Sequence, residues 1–345
     1  MLPDASVLKI KGYWYRLDMD SFSPGYTRRF GDISYTQTEI QYTRPLGKIQ
    51  LLTAGGEYLL RDIDASFADK SDNFKSLYLQ DEITLKPFDV VIGGRLDDSS
   101  LYGTEFNPKA SFMWEVTDNT RVRASIGRAF KTPTIRQLYV SFLHLTYWNK
   151  PNEDLNPEIS WGYSVGIEQI FSKKLSANVS LFRNDVKDII VAVDTSETIN
   201  GTPVRTWKNV SNAFTQGAEF GIKASVLDNL LLNLGYTYLD TENKETGKEL
   251  PYNPHHTVSI GMDYEIKPWK ASVHWMTNYI SEVYTDEANT KKIKDYSISN
   301  LKIIKDITKN VSVSMDVDNI FKSDYGEPDK EWLGRVIFGK LTINI

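Results

Sequence analysis

Along most of the chain, apolar and polar residues take strict turns. From Val311 to Asp318, Val311, Val313, Met315 and Val317 alternate with Ser312, Ser314, Asp316 and Asp318. Leu175, Ala177, Val179 and Leu181 alternate with Ser176, Asn178 and Ser180. Val122, Ala124 and Ile126 alternate with Arg121, Arg123, Ser125 and Gly127. The C-terminal segment sets Ile337, Leu341, Ile343 and Ile345 against Lys340, Thr342 and Asn344. A period of two is the signature of β-strands, because successive side chains leave a strand on opposite faces. A helix needs spacings of three and four, which these segments lack.

A soluble β-sandwich or solenoid also alternates, and three features argue against it. The predicted strands run about 10 to 14 residues, against about 5–6 in soluble sheets. The polar face carries Arg, Asp and Glu and offers little for a second core. The connections also change regularly between short and long. Short turns are expected at 44–48, 86–88, 117–119, 172–174, 227–229, 267–269 and 306–309. Long loops are expected near 19–31, 62–73, 98–104, 129–158, 195–206, 240–254, 282–294 and 320–333. This reading gives about 16 antiparallel strands with short turns on one rim and long loops on the other, as in an all-β transmembrane barrel of an outer membrane. An open strand edge has nothing to hydrogen-bond in lipid, which is why such sheets close.

Composition changes the picture little. The 345 residues carry a net charge of −5, so no basic surface points to nucleic acid. The charged fraction of 25% and mean hydropathy of −0.38 resemble a soluble protein. A barrel strand, though, crosses lipid on every second residue and escapes averaged hydropathy. No run approaches the ~18 apolar residues of a membrane helix. Nineteen Tyr, 15 Phe and 8 Trp suit the aromatic girdles found where lipid meets water. Cysteine is absent, which fits passage through an oxidising periplasm. Met1-Leu2-Pro3-Asp4 does not read as a signal peptide, so an exported protein is expected to begin upstream of it.

Several segments resemble those of one family. Gly127-Arg128-Ala129-Phe130-Lys131-Thr132-Pro133-Thr134, followed by Gln137-Leu138-Tyr139, is similar to the mid-barrel signature of TonB-dependent outer-membrane receptors. Asn152-Glu153-Asp154-Leu155-Asn156-Pro157-Glu158 resembles the element leading into the next strand, and Phe182 to Ile190 the strand after it. Asn209 with Gln216-Gly217-Ala218-Glu219-Phe220, the pair Tyr78 to Glu82 and Gly94 to Asp97, and Asp318 to Tyr325 continue the likeness. These residues read as barrel construction: Pro133 ends a strand, Asn156-Pro157 is turn chemistry, and Gly217 suits a bulge or a close backbone approach.

The resemblance implies a barrel of about 22 strands with a plugged lumen. It also implies capture of a scarce nutrient by the long loops, a ferric siderophore first and cobalamin second, with transport driven through TonB. No plug is legible in residues 1–345. TonB would be reached only through that plug, and the plug and about six leading strands are expected outside this chain. Ile345 stands where the family usually ends on an aromatic residue. A passive porin-like channel and a non-functional truncated barrel are the alternatives. Outer-membrane lipid and lipopolysaccharide are the expected surroundings.

No catalytic order of Ser, His and Asp stands out, no phosphate loop follows a strand, and no cofactor or enzyme activity is expected. His255 and His256 are adjacent and would face opposite ways on a strand, so no shared metal site is expected there. His274 reads as structural. The aromatic set Tyr139, Phe142, His144, Tyr147 and Trp148 in the longest loop, with Arg205 and Trp207 from another, is the candidate ligand-contact group. Girdle and loop packing is the competing reading for these residues, and the preferred one. The basic run Lys291-Lys292-Ile293-Lys294 suits an anionic ligand or lipopolysaccharide phosphate. A solvated loop is the simpler account of it.

Overall fold

The computed structural model describes residues 5–23, 26–66, 68–144, 146–326 and 334–344. Ile345 and much of the loop expected at 320–333 lie outside the described residues. The chain is almost wholly strand. It divides into two compact units, one made of Met1–Trp114, Ala124–Tyr163 and Asp185–Ala213, the other of Glu115–Arg123, Ser164–Asn184 and Phe214–Ile345.

In the first unit, β1 (Val7–Ser23), β2 (Tyr26–Leu46), β3 (Gln50–Ala65), β4 (Ala68–Leu85), β5 (Phe88–Ser99) and β6 (Gly103–Thr117) pair antiparallel in chain order. β7 (Thr120–Lys131) leads to a single helical turn, α1 (Ile135–Tyr139), and a small hairpin of β8 (Phe142–His144) and β9 (Tyr147–Lys150). Then come β10 (Glu158–Ser172), β11 (Leu175–Ile199) and β12 (Thr202–Leu227), which, like β6 and β7, extend into both units. The second unit holds β13 (Leu230–Asn243), β14 (His256–Ile266), β15 (Ala271–Ile280), β18 (Tyr296–Asp306), β19 (Val311–Asp318) and β20 (Val336–Ile343), again antiparallel neighbours in order. A two-residue hairpin of β16 (Val283–Tyr284) and β17 (Lys292–Ile293) lies in the loop between β15 and β18. Of these strands, 16 have eight residues or more.

The register explains the alternation. On β4 and β5, Leu77, Leu79 and Ile83 stand opposite Leu96, Gly94 and Val90 on one face, while Ser76 and Tyr78 stand opposite Asp97 and Arg95 on the other. The polar face is cross-linked. Lys11 donates to Glu39 at 2.8 Å, Tyr78 donates to Glu39 at 2.9 Å, and Arg95 reaches Glu57 at 3.1 Å and the Ser76 hydroxyl at 2.7 Å. The apolar face has no such cover. Leu77 is 67% exposed in the first unit, and Leu181 and Val313 are 54% and 39% exposed in the second. In water, exposed apolar area costs ~25 cal/mol per Å². Against acyl chains that cost vanishes. A sandwich would have buried these residues in a core, so the exposure excludes it and fits a sheet that meets lipid.

Four expected long loops are instead strand. β1 and β2 run on to Ser23 and from Tyr26, β3 and β4 to Ala65 and from Ala68, β5 and β6 to Ser99 and from Gly103, β11 and β12 to Ile199 and from Thr202. Alternation reports only where one face meets lipid, and a crossing needs ~9–11 residues. β11 and β12 have 25 and 26 residues, so much of each stands beyond the bilayer, where neither face has to alternate against lipid. The sheet also departs from antiparallel order where β9 pairs parallel with β12.

Candidate functional site

At the rim where the longest connection leaves the sheet, sequence dictates a compact knot. Pro133 ends β7 and is fully buried. Thr134 caps α1: its hydroxyl accepts from Gln137 N at 3.3 Å, and Gln137 Oε1 accepts from Thr134 N at 2.8 Å. This reciprocal pair is a capping box. α1 therefore presents Ile135 and Leu138 on neighbouring positions, and both are buried. Ile135 packs on Ile33 and Ile63, which face each other on β2 and β3. Leu138 packs on Leu155 and Ile190.

Polar side chains hold the strap that follows. Asn209 accepts from Asn156 N at 2.8 Å and donates to the Asn156 and Asp188 carbonyls at 2.9 and 2.6 Å. Asn152 donates to the Trp207 carbonyl at 2.8 Å, and Glu158 accepts from Ile190 N at 2.9 Å while holding Lys131 at 3.0 Å. Asn209→Ala removes three of these bonds and leaves backbone groups unpaired, a cost of about 1–3 kcal/mol. Amide hydrogen exchange over 152–158 and 186–190 should speed up in this variant. Unchanged exchange would show that the strap is held by other contacts.

The expected ligand-contact residues separate into three groups. Tyr139 packs against both buried clusters and Trp207 against the second, so both support the knot from within. The Trp207 indole Nε1 is buried without a partner among the described residues. Phe142 lies beneath the Arg136 guanidinium, 3.9 Å from the ring centroid. Tyr147 lies beneath the Arg205 guanidinium at 4.5 Å, and Arg205 also donates to Asp194. Trp148 stands beside Val204 in the parallel β9–β12 pair. His144 pairs with Tyr147 through its backbone, and its side chain lies outside the described part of the structure. Arg136 is the member that sequence reading missed, since nothing in its spacing announces a ring partner six residues on.

Two phenols beside the knot have raised pKa values. Burial, and then Tyr139, pushes the Tyr102 phenol up to about 12. Burial, followed by the Glu153 and Asp72 carboxylates, raises that of Tyr139. Cations over aromatic faces, with phenol donors nearby, form a surface suited to planar, electron-rich or anionic groups.

In the second unit, the two adjacent histidines do not face opposite ways as expected: both rings pack on Tyr238, at 6.3 and 5.5 Å between centroids, and lie 6.4 Å from each other, because His255 precedes β14 and escapes its alternation. His256 Nδ1 meets the Tyr236 hydroxyl at 2.9 Å, and His255 contacts the Leu239 carbonyl at 2.8 Å and Glu249 at 3.1 Å. Among the described residues, no group of three or more acidic, His or Cys side chains is placed to hold a metal ion. Burial works against the His255 charge, but the Glu249 and Leu239 acceptors outweigh it and the pKa is raised. The contribution to stability is then complete below the ordinary histidine value of 6.5 and fades as pH rises through the raised one. Amide exchange over 244–255, corrected for its intrinsic pH dependence, should rise across that window and stay level in His255→Asn.

Residues 6–320 match the family described as TonB dependent receptor-like, beta-barrel. The chain belongs to this family. The ferrienterobactin receptor of Escherichia coli (strain K12) is 27% identical over 282 residues, which are 75% of this chain and 38% of that protein. The vitamin B12 transporter BtuB of Photobacterium profundum is 26% identical over 261 residues, 74% of this chain and 40% of that protein. The chain thus spans well under half the length of these relatives. A point mutant of the ferric enterobactin receptor of Pseudomonas aeruginosa, solved with enterobactin, superposes with a TM-score of 0.77 at 21% identity, covering 98% of this chain and 60% of its own. At that identity the likeness shows the barrel fold alone. The TonB-dependent receptors are receptors and transporters of the outer membrane, and this barrel chain is an outer-membrane protein. Its family-like residues Asn152, Leu155, Asn156, Glu158 and Asn209 are those that tie the rim together, which is the constructional role their chemistry suggested.

Proposed function

We propose that residues 1–345 form the barrel portion of a receptor that takes up a scarce nutrient, a ferric siderophore in the first place and cobalamin in the second. The family match over residues 6–320, with relatives named for ferric enterobactin and vitamin B12, carries this reading. Coupling to TonB is assigned to a plug domain outside the matched residues. Ligand contact is assigned to the rim: Phe142, His144, Tyr147, Trp148 and Arg205, backed by Tyr139 and Trp207. The Arg205–Tyr147 stack supports the siderophore over cobalamin, because a fixed guanidinium favours an anionic ligand.

The test is a fluorescence titration of the protein, purified from outer membranes, with ferric enterobactin and with cyanocobalamin. Saturable binding of the ferric siderophore is expected, weakened about tenfold by Arg205→Ala, the loss of about 1.4 kcal/mol. Exchanging 132–158 for the same segment of a relative should change ligand preference while the barrel still folds. Saturable binding of neither ligand, or preference untouched by the exchange, would overturn the assignment.

A further inference from the structure

The lipid-facing side of the first unit carries a groove of about 790 Å³ across β3 to β7 and β10. Its walls are apolar, with Leu79, Ile92, Phe106, Ile126 and Trp161 among them. One lining residue breaks the pattern. Asp81 falls on the apolar face by register, opposite Leu52 on one side and Ile92 on the other. Its Oδ2 accepts from the Gln50 amide at 3.2 Å, while its Oδ1 is buried and has no partner among the described residues. A buried polar atom without a partner is costly in apolar surroundings. An ionisable side chain at membrane depth is a reason to look for what it meets.

Depth narrows the choice. Gln50 is the first residue of β3, directly after the short turn, and a stacked aromatic group marks the same rim. Phe88 lies 5.6 Å from Phe112 and 6.1 Å from Trp114. Such rings sit at headgroup level. Asp81 is four residues from the end of β4, so with an inclined strand at ~3.3 Å per residue it lies about 10 Å inside that rim. Headgroup and glycerol groups of the periplasmic leaflet reach this level. Arg44 shares the row: it faces Leu52, which faces Asp81, so it stands two strand spacings away on the same side of the sheet, about 10 Å off. Arg44 is exposed.

We propose that this groove seats a phospholipid of the periplasmic leaflet with a protonated-amine headgroup. One acyl chain lies along Leu79, Ile92 and Phe106, the Asp81 carboxyl turns toward the groove to accept from the ammonium, and the phosphate faces Arg44. A zwitterion matches one carboxyl and one guanidinium on a single row. A lipid with an anionic headgroup matches only Arg44 and brings like charge toward Asp81.

Trp161 supplies the readout. The protein, purified from outer membranes, is placed in vesicles with increasing phosphatidylethanolamine or phosphatidylglycerol carrying the same brominated chains. The Trp161 signal is the difference between the parent and Trp161→Phe. Phosphatidylethanolamine should quench it at about threefold lower mole fraction, the scale of one partly exposed ion pair. Asp81→Asn, which keeps the groove and the Gln50 contact, should bring the two lipids level. Arg44→Gln should weaken both. Equal quenching by the two lipids in the parent would overturn the proposal. A preference that survives Asp81→Asn, or occupation of the groove by a polypeptide that excludes both lipids, would also overturn it.

Discussion

Replacing Gly217 with valine should leave the chain unable to form a stable barrel. Gly217 lies within β12, where a side chain would ordinarily be harmless. Here a Cβ would overlap the Tyr238 carbonyl oxygen on β13, and it would come within 2.9 Å of the Phe182 ring on β11. The ring can turn aside. The carbonyl belongs to the neighbouring strand and cannot retreat without parting the two. Overpacking in a well-filled core costs about 1–3 kcal/mol, and a collision with backbone lies at or beyond the top of that range. The measurement is the folded, heat-modifiable fraction on a gel after outer-membrane extraction, with urea unfolding of whatever folds. Alanine should show a smaller form of the defect, since the methyl group alone makes the collision. Wild-type folding of Gly217→Val would mean that β12 and β13 do not approach as described.

Placing arginine at Val313 should also destabilise the barrel. Val313 stands opposite Leu341 on β20 and Lys305 on β18, and it is exposed on the apolar face. Arg or Lys at a lipid-facing position costs about 2–4 kcal/mol near the midplane and about 0–1 near the interfaces. Lys305 is next to the end of β18, so Val313 lies toward the short-turn rim and the expected cost falls between the two ranges, about 1–2 kcal/mol. Ser314→Arg, one residue away on the polar face, is the control and should cost little. Stability is read from urea unfolding in lipid. Equal costs at 313 and 314 would remove the distinction between the two faces.

What could be read from sequence follows from what alternation measures. The faces of β19 were legible because Val311, Val313, Met315 and Val317 meet lipid and their neighbours do not. The short turns were legible to within about three residues because alternation stops there. The hairpin of β11 and β12 was read as ending near residue 195, since beyond the bilayer neither face must be apolar. A signal was nevertheless present: Asn200-Gly201, both with positive φ, is the dipeptide of a tight two-residue hairpin turn. The α1 turn is too short for periodicity, yet Thr134 and Gln137 spelled out its capping box. The rim could not be assembled from sequence. Arg205 over Tyr147 and Leu138 against Ile190 are contacts between distant segments, and no local pattern encodes them. Asp81 is the converse case. It occupies an apolar slot in the series Leu77, Leu79, Asp81, Ile83, so parity alone would have placed a carboxyl group against lipid.

Both the proposed ligand-contact rim and the proposed lipid seat depend on a sheet with one face to lipid and one face away from it. A nitroxide scan of residues 311 to 318 in lipid vesicles tests this most directly, by comparing collision rates with oxygen and with a water-soluble nickel chelate. The account predicts a period of two, with oxygen favoured at 311, 313, 315 and 317 and the chelate at 312, 314, 316 and 318. Equal access to both reagents along the segment, or the opposite phase, would contradict it.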